Sequence, residues 1–460
     1  MTRYKEQLER ATYDPEAISA GIAHFGIGNF HRSHQAMYID RLISSGGHDD
    51  WGIIGIGVMP GDKLMRDALA GQDYRYTLVA KSVDGTVSAR EIASIRGFLY
   101  APEDPQGVIR LLVDPAIRIV SLTITEGGYN IDRTSGEFDL TNPLIQRDLA
   151  DPRNPATVFG HITEALRIRR EKGITPFTVM SCDNLPENGE VIQRAIITYA
   201  NALNENLADW IRDNVAFPNS MVDRITPVTT DADRRMVTEA FGVEDAWPVV
   251  TEPFTQWVLE DHFTNGRPAF ELVDVQMTDD VAPYELMKLR LLNASHQAMA
   301  YIGMLRGHTF VHEAVSDPEI EDFLRSYLAE PRVTLPPLPG VDVDAYIESL
   351  FERFRNPYIA DTLARLAVDA SDRIPKFVLP SLRDNLAANR PITMGTRVIA
   401  HWAKYLSVAD SVTDTLAADL TALAKSGDPD DFIRYTPVFD DLGSSDTFRA
   451  VYQTERSLLH

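Results

Sequence analysis

The sequence predicts an α/β domain at the N-terminus and a mostly α-helical domain at the C-terminus. Up to about residue 280, short apolar runs alternate with helical patterns, which is typical of a sheet whose strands are joined by helices. From Tyr284 onward, helical patterns dominate. We therefore expect one domain over residues 1–280 and a second over residues 281–460.

Length and composition indicate the class of protein. The chain has 460 residues, of which 44% are hydrophobic and 24% are charged, as in ordinary globular proteins. The formal net charge of −23, from 44 basic and 67 acidic residues, argues against binding to nucleic acid or to anionic membranes. We therefore expect a small-molecule partner, with neither nucleic acid nor membrane involved.

The same composition indicates a cellular compartment. The first residues are polar, and no apolar run is long enough to span a bilayer. Cys182 is the single cysteine, so an internal disulfide bond is excluded. We therefore expect a cytoplasmic protein.

The first strand pattern ends in glycines. Residues 21–28 predict a buried strand, and the helical pattern that follows begins with Asn29 and Phe30. A second apolar strand pattern covers residues 51–58, and a helical pattern comes after it. This order of strand, glycine turn, helix and strand is half of a Rossmann-type dinucleotide-binding unit.

Gly26 and Gly28 match the start of the G-x-G-x-x-G dinucleotide motif. In that motif the glycines permit a tight turn and let backbone N–H groups approach a pyrophosphate at the helix N-terminus. His31 stands where the third glycine is expected, which implies looser packing of the helix on the strand or a different entry angle. A plain strand-to-helix turn is the alternative interpretation.

Asp62 follows the second predicted strand. An acid at this place accepts hydrogen bonds from the adenine ribose hydroxyls and repels a 2′-phosphate, which favours NAD over NADP. Lys63 weakens this argument because it brings a positive charge next to the acid. Aspartate is also a good helix N-cap, and that is the alternative role for Asp62.

Two later strand patterns end in polar residues. Residues 117–125 form a β-branched run that Glu126 follows, and residues 177–182 form another that precedes Asn184. The carboxyl ends of parallel strands face the ligand in such sheets, so both side chains are candidates for the site. Glu126 could instead be an exposed loop residue, and we expect Cys182 to be a packed core thiol.

A helical pattern over residues 284–305 carries three further candidates. At about 100° per residue, Asn293 lies about 140° and His296 about 80° around an α-helix from Lys288. One face of the helix would therefore present an amine, an amide and an imidazole. The amine could accept a proton, the amide could donate to an oxyanion, and the imidazole could orient a hydroxyl. An ordinary amphipathic helix with a solvated polar side is the alternative.

The remaining patterns complete the predicted element order. Asp84-Gly85 between two alternating stretches predicts a β-hairpin over residues 74–95. Residues 249–260 predict one strand. We expect helices over residues 63–70, 105–113, 157–172, 317–328, 343–354, 357–368, 377–388, 396–406 and 411–425.

Histidine pairs provide only a weak metal signal. His308 and His312, and likewise His31 and His34, have a spacing that could suit a metal on a helix, but no carboxylate or cysteine set completes either group. The H-E-x-x-H, G-x-S-x-G and Walker sequences are absent. The sequence therefore predicts no metal site.

Several stretches together resemble the mannitol dehydrogenase family, the long-chain polyol dehydrogenases. The matching stretches are Gly26-Ile-Gly-Asn-Phe-His-Arg-Ser-His34, Thr123-Ile-Thr-Glu-Gly-Gly-Tyr129, Val179-Met-Ser-Cys-Asp-Asn184, Met221-Val-Asp-Arg-Ile-Thr-Pro227 and Lys288-x₄-Asn293-x₂-His296. They occur in this order over most of the chain up to about residue 300. Trp247-Pro-Val-Val-Thr-Glu-Pro-Phe254 and Asp279-Asp280-Val281 are similar to the members that act on mannitol.

The resemblance implies a metal-free, NAD-dependent enzyme that interconverts a polyol and a ketose, with mannitol and fructose as the first choice. A monomer is also implied. By the family pattern, the general base is Lys288, and the amides that hold the reacting oxygen are Asn184 and Asn293. The implied contacts to substrate hydroxyls are His296, Asp223, Arg365 and Arg373. The cofactor contacts are Gly26, Gly28, Asn29, Phe30 and Asp62, and Glu126 is a candidate for a proton path.

Other activities remain open at this point. Residue 373 is arginine, whereas lysine is expected there in mannitol-specific members. The chemical group at the far end of the substrate is therefore left open. Arg365 and Arg373 could grip a carboxylate, as in a hexuronate reductase of the same family. Arabinitol and sorbitol are alternative polyols. A Schiff-base lyase using Lys288 would not need the glycine turn, and an NAD-binding sensor is a third alternative.

Overall fold

The computed structural model describes residues 3–4, 7–132 and 135–459. Met1, Thr2, Lys5, Glu6, Arg133, Thr134 and His460 lie outside the described residues. Within the described ranges, no helix combines the length and the hydropathy needed to cross a bilayer. The chain divides into two compact units, one through Ala282 and one from Pro283.

The secondary structure of the first unit mixes strands and helices. Its strands are β1 Arg3–Tyr4, β2 Ala20–Phe25, β3 Gly52–Gly57, β4 Tyr76–Lys81, β5 Thr86–Ile92, β6 Ile95–Tyr100, β7 Ile119–Leu122, β8 Thr178–Ser181, β9 Ser220–Asp223, β10 Val249–Thr251, β11 Gln256–Glu260 and β12 Gln276–Thr278. Its helices are α1 Asn29–Ser33, α2 Gln35–Ser44, α3 Asp62–Ala70, α4 Pro105–Val113, α5 Pro143–Ala150, α6 Val158–Lys172, α7 Asn188–Leu203, α8 Glu205–Asn214 and α9 Asp231–Phe241.

A five-stranded parallel sheet organises the first unit, with strand order β6-β3-β2-β7-β8. Numbered by chain order within this sheet, that is 3-2-1-4-5, the Rossmann order. Both faces of the sheet are buried. On β2, Ala23 and Phe25 pack with helices α4, α6 and α7, whereas Ile22 packs with α2. Two-sided burial explains why these strands are continuous apolar runs rather than alternating ones.

Two smaller sheets complete the first unit. One has the order β1-β5-β4-β10 and contains the predicted hairpin, in which Lys81 pairs with Val87 across a turn with Gly85 at φ +82°. The other has the order β12-β11-β9. The prediction of a single strand over residues 249–260 is wrong, because β10 and β11 belong to different sheets. Pro253, which has no N–H group, lies in the break between them.

The second unit is helical. Its α-helices are α10 Ala282–Met287, α11 Ala294–Leu305, α12 Val311–Val315, α13 Pro318–Arg332, α14 Val343–Phe354, α15 Leu363–Leu366, α16 Ala370–Phe377, α17 Leu379–Ala387, α18 Thr393–Val408, α19 Ala417–Ala424, α20 Asp430–Ile433, α21 Thr436–Phe439 and α22 Asp446–Ser457. They enclose one apolar core, in which Trp402 of α18 contacts the rings of Phe432 and Phe439.

Three helix predictions in this unit need correction. The predicted helix over residues 357–368 is only the single turn α15. The one predicted over residues 411–425 begins later, at Ala417. The segment predicted as helix 284–305 is α10 and α11 joined by a π-helical turn, Lys288–Asn293. The predicted fold class, a Rossmann-type domain followed by a mostly helical domain, is confirmed.

Candidate active site

The turn after β2 requires glycine at position 26. Gly26 has φ +96°, a backbone conformation that L side chains rarely adopt. A Cβ atom there would stand 2.1 Å from the carbonyl oxygen of Thr123, at the end of β7. The Thr123 hydroxyl donates to the Gly26 carbonyl oxygen at 2.6 Å, which holds this turn against the neighbouring strand.

Gly28 has a different reason to be glycine. Its φ of −75° suits any residue, and a Cβ atom added there would meet no protein atom within 4 Å. Gly28 is the N-cap of α1, and no side chain caps this helix end. The backbone N–H groups at the start of α1 therefore border open space, as close approach of a phosphate group requires.

His31 fills the position of the missing third glycine. Its ring stacks on the ring of His24 in β2, with centroids 3.5 Å apart, so two imidazoles separate the helix from the strand. The helical run also breaks at His34, between α1 and α2. Complete burial lowers the pKa of His24 to about 3 and lowers that of His31 well below its ordinary value. Both rings are neutral at pH 7, and they belong to the packing beneath the turn.

Asn29 and Phe30 are tied into the start of α1. The Asn29 side chain donates to the Pro227 carbonyl oxygen at 3.3 Å and accepts from the Arg32 guanidinium at 2.7 Å. The Phe30 ring stacks on the ring of His34, with centroids 5.0 Å apart. These contacts shape the helix end, and contact of either side chain with a cofactor stays a prediction.

Asp62 does not act as the N-cap of α3. Gly61 occupies that position, and Asp62 is the first helical residue. Its Oδ2 atom accepts the backbone N–H groups of Val58 and Met59, both at 2.9 Å. Its Oδ1 atom makes no hydrogen bond to the described part of the chain. The carboxylate is therefore anchored at the end of β3 with one oxygen left to accept a hydroxyl.

Asp183, which comes directly before the candidate residue Asn184, was not singled out by any sequence motif. This buried carboxylate accepts the backbone N–H groups of Ile124 and Thr125, both at 2.9 Å, and the Tyr129 hydroxyl at 2.7 Å. It thereby joins the ends of β7 and β8, and it holds Thr125 at φ +62°. Burial raises the pKa of Asp183 to about 6. An acid directly after a buried strand was the available signal.

The two predicted polar residues at these strand ends flank the Asp183 bridge. Glu126 begins a 3-10 turn, Glu126–Tyr129, just after Thr125, and its side chain is exposed. Asn184 follows Asp183 and is also exposed. Cys182 is buried, and burial raises the pKa of its thiol, which confirms the predicted packed core thiol. The bridge thus fixes the backbone that carries Glu126 and Asn184.

Asp223 is the last residue of β9, in the three-stranded sheet, and it is buried. Its backbone pairs with that of Gln256 in β11. Arg224, the next residue, donates to the carbonyl oxygens of Ser33 and Glu252, so this strand end is bound to helix α1. A role of Asp223 in substrate binding stays a prediction.

Lys288 begins the π-helical turn, and the side chain of this lysine is buried, with 6% of its surface exposed. The N–H group of Ala294 bonds to the Leu289 carbonyl oxygen, five residues back. The angles expected for an α-helix are therefore wrong here. A π-helical turn takes more residues than an α-helical turn, which brings residues five apart, Lys288 and Asn293, closer to one side. The Asn293 amide makes no hydrogen bond within the described chain.

The other candidates of the second unit lie on helices that pack beside this turn. His296 is half-buried on α11, with its ring 5.3 Å from that of Phe354. Helix α11 packs against α15 and α16, which carry Arg365 and Arg373. Arg365 makes two hydrogen bonds to the carboxylate of Asp361, at 2.6 and 2.5 Å. Arg373 donates to the carbonyl oxygens of Arg365 and Leu366.

The histidine pairs do not form metal sites in the described part of the chain. His308 contacts Asp317 at 3.3 Å, and His312 stacks on Phe310. Among the residues that the structure describes, three or more His, Cys, Asp or Glu side chains nowhere gather in an arrangement that could hold a metal ion.

The sheet order, the glycine turn and the anchored carboxylate define the first unit as a Rossmann-type dinucleotide-binding domain. Residues 20–272 match the model of the mannitol dehydrogenase Rossmann domain, and residues 280–458 match that of the mannitol dehydrogenase C-terminal domain. The chain belongs to the mannitol dehydrogenase family. The resemblance that the sequence motifs indicated is thereby confirmed.

Relatives of known type cover nearly the whole chain. Mannitol 2-dehydrogenase of Cereibacter sphaeroides is 45% identical over 461 residues, covering 98% of this chain and 95% of that protein. The structure of Pseudomonas fluorescens mannitol 2-dehydrogenase in a ternary complex with NAD and D-mannitol is 44% identical, with a TM-score of 0.86 over 99% of this chain and 94% of that one. The structure of a D-sorbitol dehydrogenase in substrate-free form is 37% identical, with a TM-score of 0.94 over 99% of this chain and 96% of that one.

Proposed function

We propose that this protein is an NAD-dependent mannitol 2-dehydrogenase, which interconverts D-mannitol and D-fructose. The observation that carries the proposal is the similarity, over 99% of this chain, to an enzyme solved with NAD and D-mannitol. The glycine turn and Asp62 support the cofactor assignment independently of that similarity. A cytoplasmic monomer is part of the proposal.

The residues after β2 and β3 fit a dinucleotide. The open space beside Gly28 and the uncapped N–H groups of α1 suit a pyrophosphate. The Oδ1 atom of Asp62 suits a ribose hydroxyl. When bound, NAD supplies the acceptor for the hydride that leaves the alcohol carbon.

Removal of the alcohol proton is the task of Lys288 in this proposal. Burial disfavours the charged form of an amine, and a neutral amine can accept a proton. The amides of Asn184 and Asn293 donate to the developing alkoxide, and His296 binds a neighbouring hydroxyl. The exposed Glu126 carboxylate passes the proton toward solvent.

The substrate contacts of the second unit favour a polyol over a hexuronate. The positive charge of Arg365 is offset by the Asp361 carboxylate, and Arg373 is already bound to two carbonyl oxygens. An arginine whose charge is offset binds a carboxylate less strongly than a free one does. These two arginines are therefore assigned to hydroxyl groups. Asp223, on β9 of the first unit, is assigned to a hydroxyl group as well, because its carboxylate would repel the carboxylate of a hexuronate. Sorbitol is the second candidate substrate, because a D-sorbitol dehydrogenase shares the fold with a TM-score of 0.94.

The test of the reaction is a substrate panel. Mannitol, sorbitol, arabinitol and fructuronate are each assayed with NAD or NADP, or with the reduced forms, by absorbance of the reduced nicotinamide. The highest kcat/KM is expected for mannitol with NAD. Faster turnover of sorbitol would make this a sorbitol dehydrogenase, and no turnover of any polyol would refute the proposal.

The test of the mechanism is Lys288→Ala. Loss of the general base should lower turnover of mannitol by roughly 10²–10⁴-fold, while NAD affinity changes little. Oxidation by the wild type should rise with pH as the amine loses its proton, and fructose reduction should fall over the same range. Lys425→Ala, at an exposed lysine of the same unit, is the control. A Lys288→Ala enzyme within about threefold of wild type would exclude Lys288 as the base.

A further inference from the structure

Two cations next to Asp62 share one carboxylate. Lys63 and Arg66 lie on the first two turns of α3, and Glu103 lies in the segment after β6, the strand beside β3. Lys63 Nζ bonds to Glu103 Oε1, and Arg66 Nη1 bonds to Glu103 Oε2 at 2.9 Å. Each oxygen of the carboxylate thus holds one cation. Arg66 also bonds to Asp67 through Nε, at 2.7 Å.

The place of these cations matters because it is where a 2′-phosphate would be recognised. Lys63 directly follows Asp62 in the chain, and Arg66, four residues after Asp62, lies on the same helix face. Dinucleotide-binding domains that accept NADP use a basic side chain near the ribose to hold its 2′-phosphate. Lys63 and Arg66 would supply such a site if no carboxylate engaged them.

We propose that Glu103 is a specificity-determining residue, which favours NAD over NADP by engaging Lys63 and Arg66. This inference rests on the proposed NAD-dependent function. Glu103 acts in two ways. It occupies the donors that a phosphate would need, and its negative charge offsets the positive charge of Lys63 and Arg66 that would attract a phosphate.

The charge state and exposure of these groups agree with such a role. Hydrogen bonds from Lys63 and Arg66 hold the pKa of the Glu103 carboxyl below its ordinary value, so it is ionised at neutral pH. The side chains of Glu103 and Lys63 are 43% and 49% exposed, so solvent screens the pair and a competing phosphate could reach the cations. The effect on cofactor choice is therefore moderate.

The experiment measures binding of NADH and NADPH to Glu103→Gln by nicotinamide fluorescence. At exposed sites charge pairs contribute modestly, so the ratio Kd(NADPH)/Kd(NADH) should fall by about three- to fivefold. Glu171→Gln is the control, because Glu171 is also a solvent-exposed partner of an arginine, Arg167 on α6. This control should leave the ratio unchanged.

A second background tests whether Glu103 acts through the cations. In a Lys63→Ala, Arg66→Ala protein, adding Glu103→Gln should change the ratio by much less than in the wild type. An unchanged ratio in the single variant, or an equal change in both backgrounds, would overturn the role of Glu103. The binding assay needs no polyol, so the two proposals can fail separately. If the wild type binds NADH but Glu103→Gln has the same ratio as the wild type, only the Glu103 assignment is refuted. A wild type that binds neither dinucleotide refutes the proposed function, and the Glu103 assignment fails with it.

Discussion

Gly28→Ala separates the binding role of the glycine turn from its folding role. The added methyl group meets no protein atom within 4 Å, and the backbone at this position is extended, with φ −75° and ψ −177°. Loss of unfolded-state entropy should stabilise the variant by about 0.4–1 kcal/mol. Alanine is a poorer N-cap than glycine, which costs about as much. The free energy of unfolding should therefore change by less than about 1 kcal/mol.

The effect on cofactor binding should be much larger. The methyl group would occupy the space beside the first N–H groups of α1, where the pyrophosphate is proposed to bind. Losing one hydrogen bond to a charged group costs about 1.5–3 kcal/mol, which corresponds to roughly 10- to 100-fold weaker binding. The assay is titration of NADH by nicotinamide fluorescence, together with urea unfolding of the same preparation.

Gly427→Ala is the control for this variant. Gly427 lies in an exposed turn of the second unit, and a Cβ atom there also meets nothing within 4 Å. Its NADH affinity should equal that of the wild type, and its free energy of unfolding should rise by no more than about 1 kcal/mol. Wild-type NADH affinity in Gly28→Ala would show that the cofactor does not approach this backbone, and the reasoning from open space would be refuted.

Four further predictions follow from the same structure. Gly26→Ala should destabilise the fold, because both φ +96° and the Thr123 carbonyl oxygen oppose a Cβ atom, and urea unfolding measures the loss. Asp62→Ala should weaken NAD binding and reduce the preference for NAD over NADP, and a wild type that prefers NADP tenfold would contradict the assignment of Asp62 to the ribose hydroxyls. Exhaustive chelation should leave mannitol oxidation unchanged, and a loss restored by zinc would refute the lysine mechanism. The pKa of Asp183 is raised from 3.8 to about 6, so the folded state holds the proton more tightly and the free energy of unfolding of the wild type falls as pH rises through this range. Asp183→Asn lacks this titration. Its free energy of unfolding relative to the wild type should therefore rise by up to about 3 kcal/mol from pH 4 to pH 7, which paired urea titrations measure.

Local signals in the sequence predicted many elements closely. Helix α4 has the predicted bounds, because Asp104 caps its first turn and Pro105 suits the first helical position. Helix α6 begins after its Thr157 cap and ends at Gly173, at φ +65°. Asp84-Gly85 forms the expected hairpin. In each case the deciding interaction lies within a few residues of the chain.

The candidate residues were also predictable, but their environments were not. The glycine pattern and Asp62 could be found from the sequence, because a strand, a turn and a helix are consecutive in the chain. The alternative role of Asp62 as an N-cap was wrong, since its carboxylate turns back to the end of β3. The α-helical angles between Lys288 and Asn293 were wrong because periodicity alone does not reveal a π-helical turn inside an apolar helical pattern.

By itself, the sequence determined many of the strands and helices, the glycine turn and the identity of the polar residues at strand ends, because these depend on neighbours in the chain. Only the tertiary structure decided that Asp183 bridges β7 and β8, that Glu103 engages Lys63 and Arg66, and that β10 and β11 enter different sheets. Glu103 is 40 residues from Lys63, and Asp183 is 59 residues from Ile124. Pairings at such separations form only when the sheet brings strand ends together, and no local propensity encodes them.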